Sequence, residues 1–218
     1  ISCGSNENAT TITKGDLNKM DSLSYIYGMA IGHQLCIEGG IVKELELDIN
    51  RILSSLANSA MGKENIVGND TLKEETMQKI YMKVFSRERQ QEIQAAKQDS
   101  TGNTPLYANE ETRQLTSAFV GTDLGLNIIK NNLPLQLVWV EKGINEVYEG
   151  KAPMSNIDAN KYMRDYLAVK VPAQNKKASE EWLAKIEKQR GVKKTESGLL
   201  YKIEEEGDMS AKPTSLED

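Results

Sequence analysis

The feature that most constrains this chain is an internal repeat of helical segments. The sequence GMAIG at 28–32 recurs as GTDLG at 121–125, each time inside a helix-like segment of similar length. Later positions follow in the same order, with Leu47, Ile52, Leu56 and Gly62 matching Leu135, Val140, Ile144 and Gly150. Because the order is preserved over roughly 80 residues, the chain is predicted to contain two copies of one helical unit.

The repeated glycines predict close helix packing. A glycine inside a helix costs about 1 kcal/mol relative to alanine, so a pair that occurs twice in register requires a compensating contact. Absence of a Cβ allows another backbone to approach closely. We therefore predict Gly28, Gly32, Gly121 and Gly125 as helix-packing residues.

Capping residues and apolar spacing define three helices in the first copy. The first begins at Asp21 or Ser22, both good N-caps, and the second is capped by Asp48 and ends at Gly62. A third is predicted to begin at Thr71, which has capping-box spacing to a glutamate. All three carry apolar residues at three- and four-residue steps.

The second copy differs in its last segment. Ser155 and Asp158 are predicted to cap a long helix, and Pro172 predicts a kink or break near 169–172. The helix is expected to resume at 179–190, and 199–205 is expected to form one short strand with no partner.

These patterns predict an all-α fold of two tandem three-helix repeats with a long C-terminal helix and a short terminal strand. The domains expected are a tether at 1–20, a first repeat at 21–98, a linker at 99–109, a second repeat at 110–191 and a different segment at 192–218.

Each repeat has too narrow an apolar stripe to be stable by itself, so each is expected to pack against another copy. The eleven-residue linker could span roughly 35 Å when extended, which permits pairing within one chain. We predict an internal pseudo-dimer in which helices of 21–62 pack on those of 110–150. A homodimer, in which the copies pair between chains, stays open.

Composition excludes several classes of function. The net charge is −5 with no basic stripe, so a nucleic-acid partner is not expected, and nowhere do about 18 apolar residues run together. His33, the sole histidine, and Cys36 could share a helical face, but two ligands do not make a metal site. No catalytic residue, cofactor-binding residue or metal ligand is therefore predicted.

The first residues suggest a lipid anchor. Ile1-Ser2-Cys3-Gly4 resembles the end of a bacterial lipoprotein signal, in which the cysteine is lipidated; the alternative is an ordinary thiol. The polar stretch at 5–14 has the composition of a tether. Lipid attachment at Cys3 would place the protein on the periplasmic side of a bacterial membrane, with the inner and outer membranes both open.

A family resemblance appears near the end of the chain. The sequence VKKTESGLLYKI at 192–203, followed by EG at 206–207 and AKP at 211–213, closely resembles the passage through which bacterial FKBP-type peptidyl-prolyl isomerases of the Mip-like class lead into their catalytic domain. The glycine-paired helices, and the Gly-Lys that ends the second helix at 62–63 and 150–151, resemble the N-terminal dimerisation domain of that family. The segment 192–218 would then be the truncated start of a catalytic domain.

The resemblance implies a role in protein folding. In that class the N-terminal region dimerises and acts as a chaperone, holding unfolded or proline-containing client proteins for the isomerase (rotamase) that comes next in the chain. The parent protein would be an isomerase, whereas this chain lacks the aromatic prolyl pocket, since Phe85, Phe119, Trp139 and Trp182 all have helical core spacing. The alternative is a membrane-anchored structural stalk without client binding.

Overall fold

The structure, a computed structural model, describes residues 12–131 and 133–207. In the first copy the elements are α1 (Ser22–Leu35), α2 (Ile41–Glu44), α3 (Ile49–Ala60), β1 (Asn65–Val67), β2 (Asp70–Leu72), a 3-10 turn (Glu74–Thr76), α4 (Met77–Val84) and α5 (Arg87–Gln98). In the second they are α6 (Glu110–Asn131), α7 (Leu137–Tyr148), α8 (Asn156–Asp165), a π-helical turn (Tyr166–Lys170) and α9 (Val171–Glu187). The predicted fold of tandem helical repeats is confirmed.

The predicted starts of the first two helices are confirmed by their caps. The carboxylate of Asp21 accepts hydrogen bonds from the backbone N–H groups of Leu23 and Ser24, at 3.0 and 3.3 Å. The carboxylate of Asp48 does the same for Asn50 and Arg51, at 3.0 and 3.1 Å. Each cap satisfies donors that the first turn of a helix cannot satisfy internally.

The prediction that a helix begins at Thr71 is wrong. Thr71 lies in β2, which pairs with β1 as an antiparallel hairpin around Gly68 and Asn69. Gly68 has a φ of +55°, a conformation that glycine adopts without strain, and Gly-Asn is a known signal for a two-residue hairpin turn. The helix begins at Met77. In the turn before it, the hydroxyl of Thr76 accepts a hydrogen bond from the backbone N–H of Lys73.

Pro172 perturbs the last helical segment without interrupting it. The predicted break near 169–172 appears as the π-helical turn Tyr166–Lys170, and α9 begins directly afterwards at Val171 rather than at 179. Because the π-helical turn runs into α9 without interruption, Pro172 lies inside a continuous helical segment, where proline lacks an N–H donor and its ring clashes with the preceding turn. The wider π turn therefore takes up the mismatch.

The chain divides into two compact units after Met163, and the first contains the whole first copy together with α6, α7 and most of α8 of the second. Within it α1 packs along α7 and α3 packs along α6, so the first helix of each copy lies against the second helix of the other. The most buried large side chains come from both copies, among them Met29, Ile52, Leu56, Ile128, Leu135, Val140 and Ile144.

The second unit begins at Arg164 and contains α9 and a hairpin. The expected lone terminal strand is corrected here: it is β4 (Leu200–Lys202), and it pairs antiparallel with β3 (Val192–Lys194). The residues predicted as the passage into a further domain thus already form a two-stranded turn around Gly198, which has a φ of +88°.

Candidate functional site

Gly28 and Gly32 lie where α1 crosses α7. A Cβ added to Gly28 would collide with the backbone carbonyl of Val140, and one added to Gly32 would lie 2.8 Å from Cβ of Val147. The partner atoms are backbone or a branched Cβ, which cannot turn away. The two helices therefore approach to a distance that a larger residue would not allow.

Gly121 and Gly125 lie in the corresponding place where α6 crosses α3. A Cβ on Gly121 would collide with the carbonyl of Ile52, and one on Gly125 would lie 2.5 Å from the carbonyl of Leu56. Ile52 is the residue that matches Val140 in the repeat. Each copy thus presents its glycine pair to the same positions of the other copy.

A fifth glycine contributes to one of the two crossings. Gly143 faces back from α7, and a Cβ there would lie 2.7 Å from the backbone nitrogen of Met29. In α3 the matching position holds Ser55, which is fully buried. Sequence reasoning missed Gly143 because it has no glycine counterpart in the first copy.

Two serines form reciprocal hydrogen bonds between the copies. The hydroxyl of Ser24 accepts a hydrogen bond from the backbone N–H of Gln136 at 2.7 Å, and the hydroxyl of Ser117 accepts one from that of Asp48 at 2.9 Å. Asp48 and Gln136 are the N-cap residues of α3 and α7. Each first helix therefore satisfies the N-cap backbone of the second helix in the other copy.

Sequence reasoning missed these serines, although a signal was present. Ser24 and Ser117 each stand four residues before the first glycine of a pair, and both are fully buried. A buried hydroxyl nearly always has a hydrogen-bond partner, so a serine that recurs in register with the glycines marks the interface.

The two caps differ in charge. Burial raises the pKa of the Asp48 carboxyl, but hydrogen bonds from the Gln114 side chain and the backbone of Arg51 and Asn50, together with the charge of Arg113, outweigh it and hold the pKa below its usual value. Position 136 has a neutral glutamine instead. The N-cap of α3 is therefore titratable, whereas the N-cap of α7 is not.

The linker is fixed to the first copy around Arg89. The Arg89 guanidinium stacks 4.5 Å from the ring centre of Tyr107, donates to the carbonyl of Leu106, and pairs with Glu92 at 3.0 Å. The Tyr107 hydroxyl donates to the carbonyl of Leu45 at 2.8 Å. The linker thus lies along the residues that precede α3.

The segment before α1 lies along the residues that precede α7, as the linker before α6 lies along those that precede α3. Thr13 forms a parallel bridge at Gln136, where its N–H donates to the Leu135 carbonyl at 3.0 Å and its carbonyl accepts from Leu137 at 2.9 Å. The chain preceding each first helix therefore contacts the residues preceding the second helix of the other copy.

An open aromatic groove of about 350 Å³ lies on the first unit. Its aromatic wall is formed by Tyr81 of α4, Phe85 at the C-cap of α4, and Phe119 of α6, with ring centres 5.5 to 6.0 Å apart. The remaining wall comprises the aliphatic residues Leu35, Ile41, Val120 and Leu124 and the polar residues Gln90 and Asp123. We call this surface the aromatic groove.

The groove is lined by residues of both copies, but its aromatic wall is not repeated at the matching position of the first copy. Phe119 lies two residues before Gly121, and the residue two before Gly28 is Ile26, which is buried. Phe85 and Phe119 also contact the buried cluster formed by β1, β2, α4 and α6, whereas Tyr81 is 45% exposed. The core spacing predicted for the two phenylalanines is therefore correct but incomplete, because their outer edges line the groove.

The other described residues considered for chemistry do not line this groove. Nε2 of His33 donates to the carbonyl of Met154 at 2.8 Å, while Cys36 is buried, and that burial raises the pKa of its thiol to about 11. Among residues 12–131 and 133–207 no three His, Cys, Asp or Glu side chains converge as metal ligands. Cys3 lies outside the described residues.

The two tryptophans behave differently. Trp139 is buried beside Tyr25. The hydroxyl of Tyr25 donates a hydrogen bond to Glu146. Burial, and to a smaller extent the Glu146 carboxylate, raises the pKa of Tyr25 to about 12. Trp182 in the second unit is 58% exposed, so its expected core position is wrong. None of the described helices has the length and apolar character needed to span a bilayer.

Comparison with known families gives a match over most of the chain. The family described as "Domain amino terminal to FKBP-type peptidyl-prolyl isomerase" matches twice, at residues 20–116 and at residues 113–203. No curated protein and no solved structure shows significant similarity to the chain. The two matches follow the two copies that the sequence repeat defines.

Proposed function

Because the chain belongs to the family of domains that lie amino terminal to FKBP-type peptidyl-prolyl isomerases, we propose that it is an internally paired, non-catalytic module that holds client proteins for such an isomerase. Rotation about X-Pro bonds takes tens of seconds or longer without catalysis, so a client that is held nearby during that time reaches the enzyme at higher effective concentration. The module supplies the holding step.

The reciprocal packing of the two copies is the observation that carries this proposal. Both glycine pairs and both serine caps are used within one chain, so each copy already has the partner that its narrow apolar stripe requires. A second chain is not needed for stability. Apolar surface that stays open after this pairing, such as the aromatic groove, is free for clients.

Suppression of aggregation tests the holding role. We expect the chain to reduce light scattering when a chemically denatured enzyme is diluted into buffer, and to do so in proportion to its concentration. An unrelated folded protein at equal mass concentration is the control. Equal scattering with the chain and with the control protein would refute the holding role.

Internal pairing has a separate test. Sedimentation at micromolar concentration should give a single-chain species, because the surfaces that would form a homodimer are already occupied. A stable two-chain species would show that the copies pair between chains.

We further propose that the protein is a bacterial, Mip-like lipoprotein, attached through Cys3 to a membrane on its periplasmic side and acting on exported proteins. The sequence Ile1-Ser2-Cys3-Gly4 supports this, as does the tether-like composition of the polar stretch at 5–14. The predicted tether of 1–20 extends too far, because Thr13 is hydrogen-bonded to Leu135 and Leu137. Expressed with its export signal in a bacterium, the protein should sediment with membranes, whereas a Cys3→Ser variant should be released. Equal partition of the two would contradict the anchor.

A structural stalk is the second candidate, favoured by α9. All 17 residues of α9 are described and none is buried, and its flank has the i,i+4 ion pairs Lys176–Glu180 and Lys177–Glu181. Such pairs support an exposed helix by a few tenths of a kcal/mol each. A stalk would leave aggregation of the denatured enzyme unchanged, so the scattering experiment separates the two functions.

A further inference from the structure

We infer that the aromatic groove is the site where this module binds clients, and that it selects an extended polypeptide segment in which an apolar side chain stands next to a lysine or arginine. This inference rests on the proposed holding function and adds a site and a client class to it.

The walls of the groove determine the first half of this specificity. Tyr81, Phe85 and Phe119 present three rings, and the rest of the lining is mainly aliphatic. The volume of about 350 Å³ lies near the lower end of the range of about 300–1,000 Å³ for ligand pockets, so it suits one or two side chains. Rings and aliphatic walls favour an apolar side chain over a polar one.

Charge determines the second half. Asp123 is the one charged residue among the described residues that line the groove, and it is exposed on α6. Its Oδ2 accepts a hydrogen bond from the side chain of Asn127 at 3.1 Å. A cationic side chain beside the apolar one would gain from this charge, and also from the face of an aromatic ring. An acidic neighbour would be repelled.

The helical walls indicate that the groove recognises side chains rather than a client backbone. The backbone groups of α1, α4 and α6 are bonded within their helices, so they offer no strand edge to a client backbone. Recognition is therefore by side chains, which an unfolded chain exposes and a folded protein buries. Burial of one apolar side chain gives weak, reversible binding, as a holding step requires.

Peptide binding tests the inference. Two short unstructured peptides, Ser-Gly-Phe-Lys-Gly-Ser and Ser-Gly-Phe-Glu-Gly-Ser with a common fluorescent label, are titrated with the full chain and followed by anisotropy. We expect the lysine peptide to bind about threefold more tightly than the glutamate peptide, as for a single exposed ion pair. Asp123→Asn should remove this preference while leaving binding of the glutamate peptide at least as strong.

Matched tyrosine variants test the position of the site. Tyr81→Ala should weaken both peptides about tenfold, whereas Tyr148→Ala, which alters a tyrosine of similar exposure on α7, should leave binding unchanged. Circular dichroism checks that both variants keep their helix content. Equal effects of the two variants, or a lysine preference that survives Asp123→Asn, would overturn the inference.

The same variants separate this inference from the proposed function. If the unaltered chain fails to suppress aggregation, the holding function is wrong, and the client site with it. If Tyr81→Ala suppresses aggregation as well as the unaltered chain does, holding stands and the groove is not its site. If the chain self-associates and Tyr81→Asp abolishes this, the occupant is a second copy of the chain and the client assignment is overturned.

Discussion

The two copies share an interface but differ in their third segments. At the crossings they match position by position: a glycine pair, a serine four residues earlier, and the N-cap that the serine satisfies occur in both. After the crossing the first copy makes a hairpin and bends between α4 and α5, whereas the second continues through a π turn into α9. The interface thus retains the symmetry of a dimer, while the third segments have different structures.

The difference indicates a division of roles within one chain. In a symmetric pair of identical chains, the two third segments would have the same structure. Here the third segment of the first copy supplies two aromatic side chains of the groove, Tyr81 and Phe85, whereas the third segment of the second copy leads to the C-terminal hairpin. Fusion of two copies removes the requirement that they be identical.

The largest effect should come from filling either helix crossing. Gly28→Ala and Gly121→Ala should each lower the free energy of unfolding by about 3 kcal/mol, because the new methyl group collides with a backbone carbonyl of the other copy. In an isolated helix the same change would stabilise by about 1 kcal/mol, so the sign is informative. Denaturant titration measures both variants.

Gly207→Ala is the matched control, since a Cβ there meets no atom within 4 Å. It should leave the free energy of unfolding unchanged. A loss at only one of Gly28 and Gly121 would show that the two crossings are not equivalent.

Removal of the reciprocal serines should have the next largest effect. Ser24→Ala and Ser117→Ala each leave a backbone N–H, of Gln136 or Asp48, without its acceptor, which costs about 1–3 kcal/mol. The two losses should be similar in size and additive in the double variant if the interfaces act independently. Exposed Ser54, changed to alanine, is the control, and clearly unequal losses would break the symmetry.

The repeat explains how much of this fold is predictable from sequence. The starts of α1 and α3 follow from Asp21 and Asp48, and the repeated glycines predict helix packing, because each depends on residues close in sequence. The hydrogen bonds of the two serines cannot be predicted in this way, because whether Ser24 faces Gln136 depends on how two helices far apart in sequence cross. Thr71 resembles a helix start because Thr-x-x-Glu fits a capping box, while Gly68 and Asn69 also fit a hairpin turn.

The groove is hidden in the sequence for a related reason. Tyr81 and Phe85 are four residues apart at the end of α4, a spacing that core residues also have, and Phe119 comes from a different copy. Periodicity assigns a residue to a face but does not say whether another element covers that face completely. In the structure Tyr81 is 45% exposed, while Phe85 and Phe119 are partly buried against the neighbouring core.

A smaller effect is expected where the linker meets the first copy. Tyr107→Phe removes the hydrogen bond to the Leu45 carbonyl and should lower the free energy of unfolding by about 1 kcal/mol, while the ring keeps its contact with Arg89. Tyr148→Phe, at an exposed tyrosine, is the control. In the other half Thr13 makes the corresponding contacts through its backbone, so a Thr13→Ala change should cost less. A larger loss for Thr13→Ala would contradict this difference.

The smallest effect should be the pH dependence that comes from the N-cap of α3. The pKa of folded Asp48 lies below its usual value, so the ionised carboxylate stabilises the folded chain above the unfolded pKa of about 3.9, and this contribution is lost as the pH falls through the folded value. Asp48→Asn keeps a capping side chain but removes the titration. Its free energy of unfolding, measured by denaturant at neutral and at acid pH, should therefore fall less than that of the unaltered chain. Glu88→Gln, at an exposed position, is the control. Position 136 is already neutral, so if the unaltered chain and Asp48→Asn lost equal free energy of unfolding at acid pH, the two caps would not differ electrostatically.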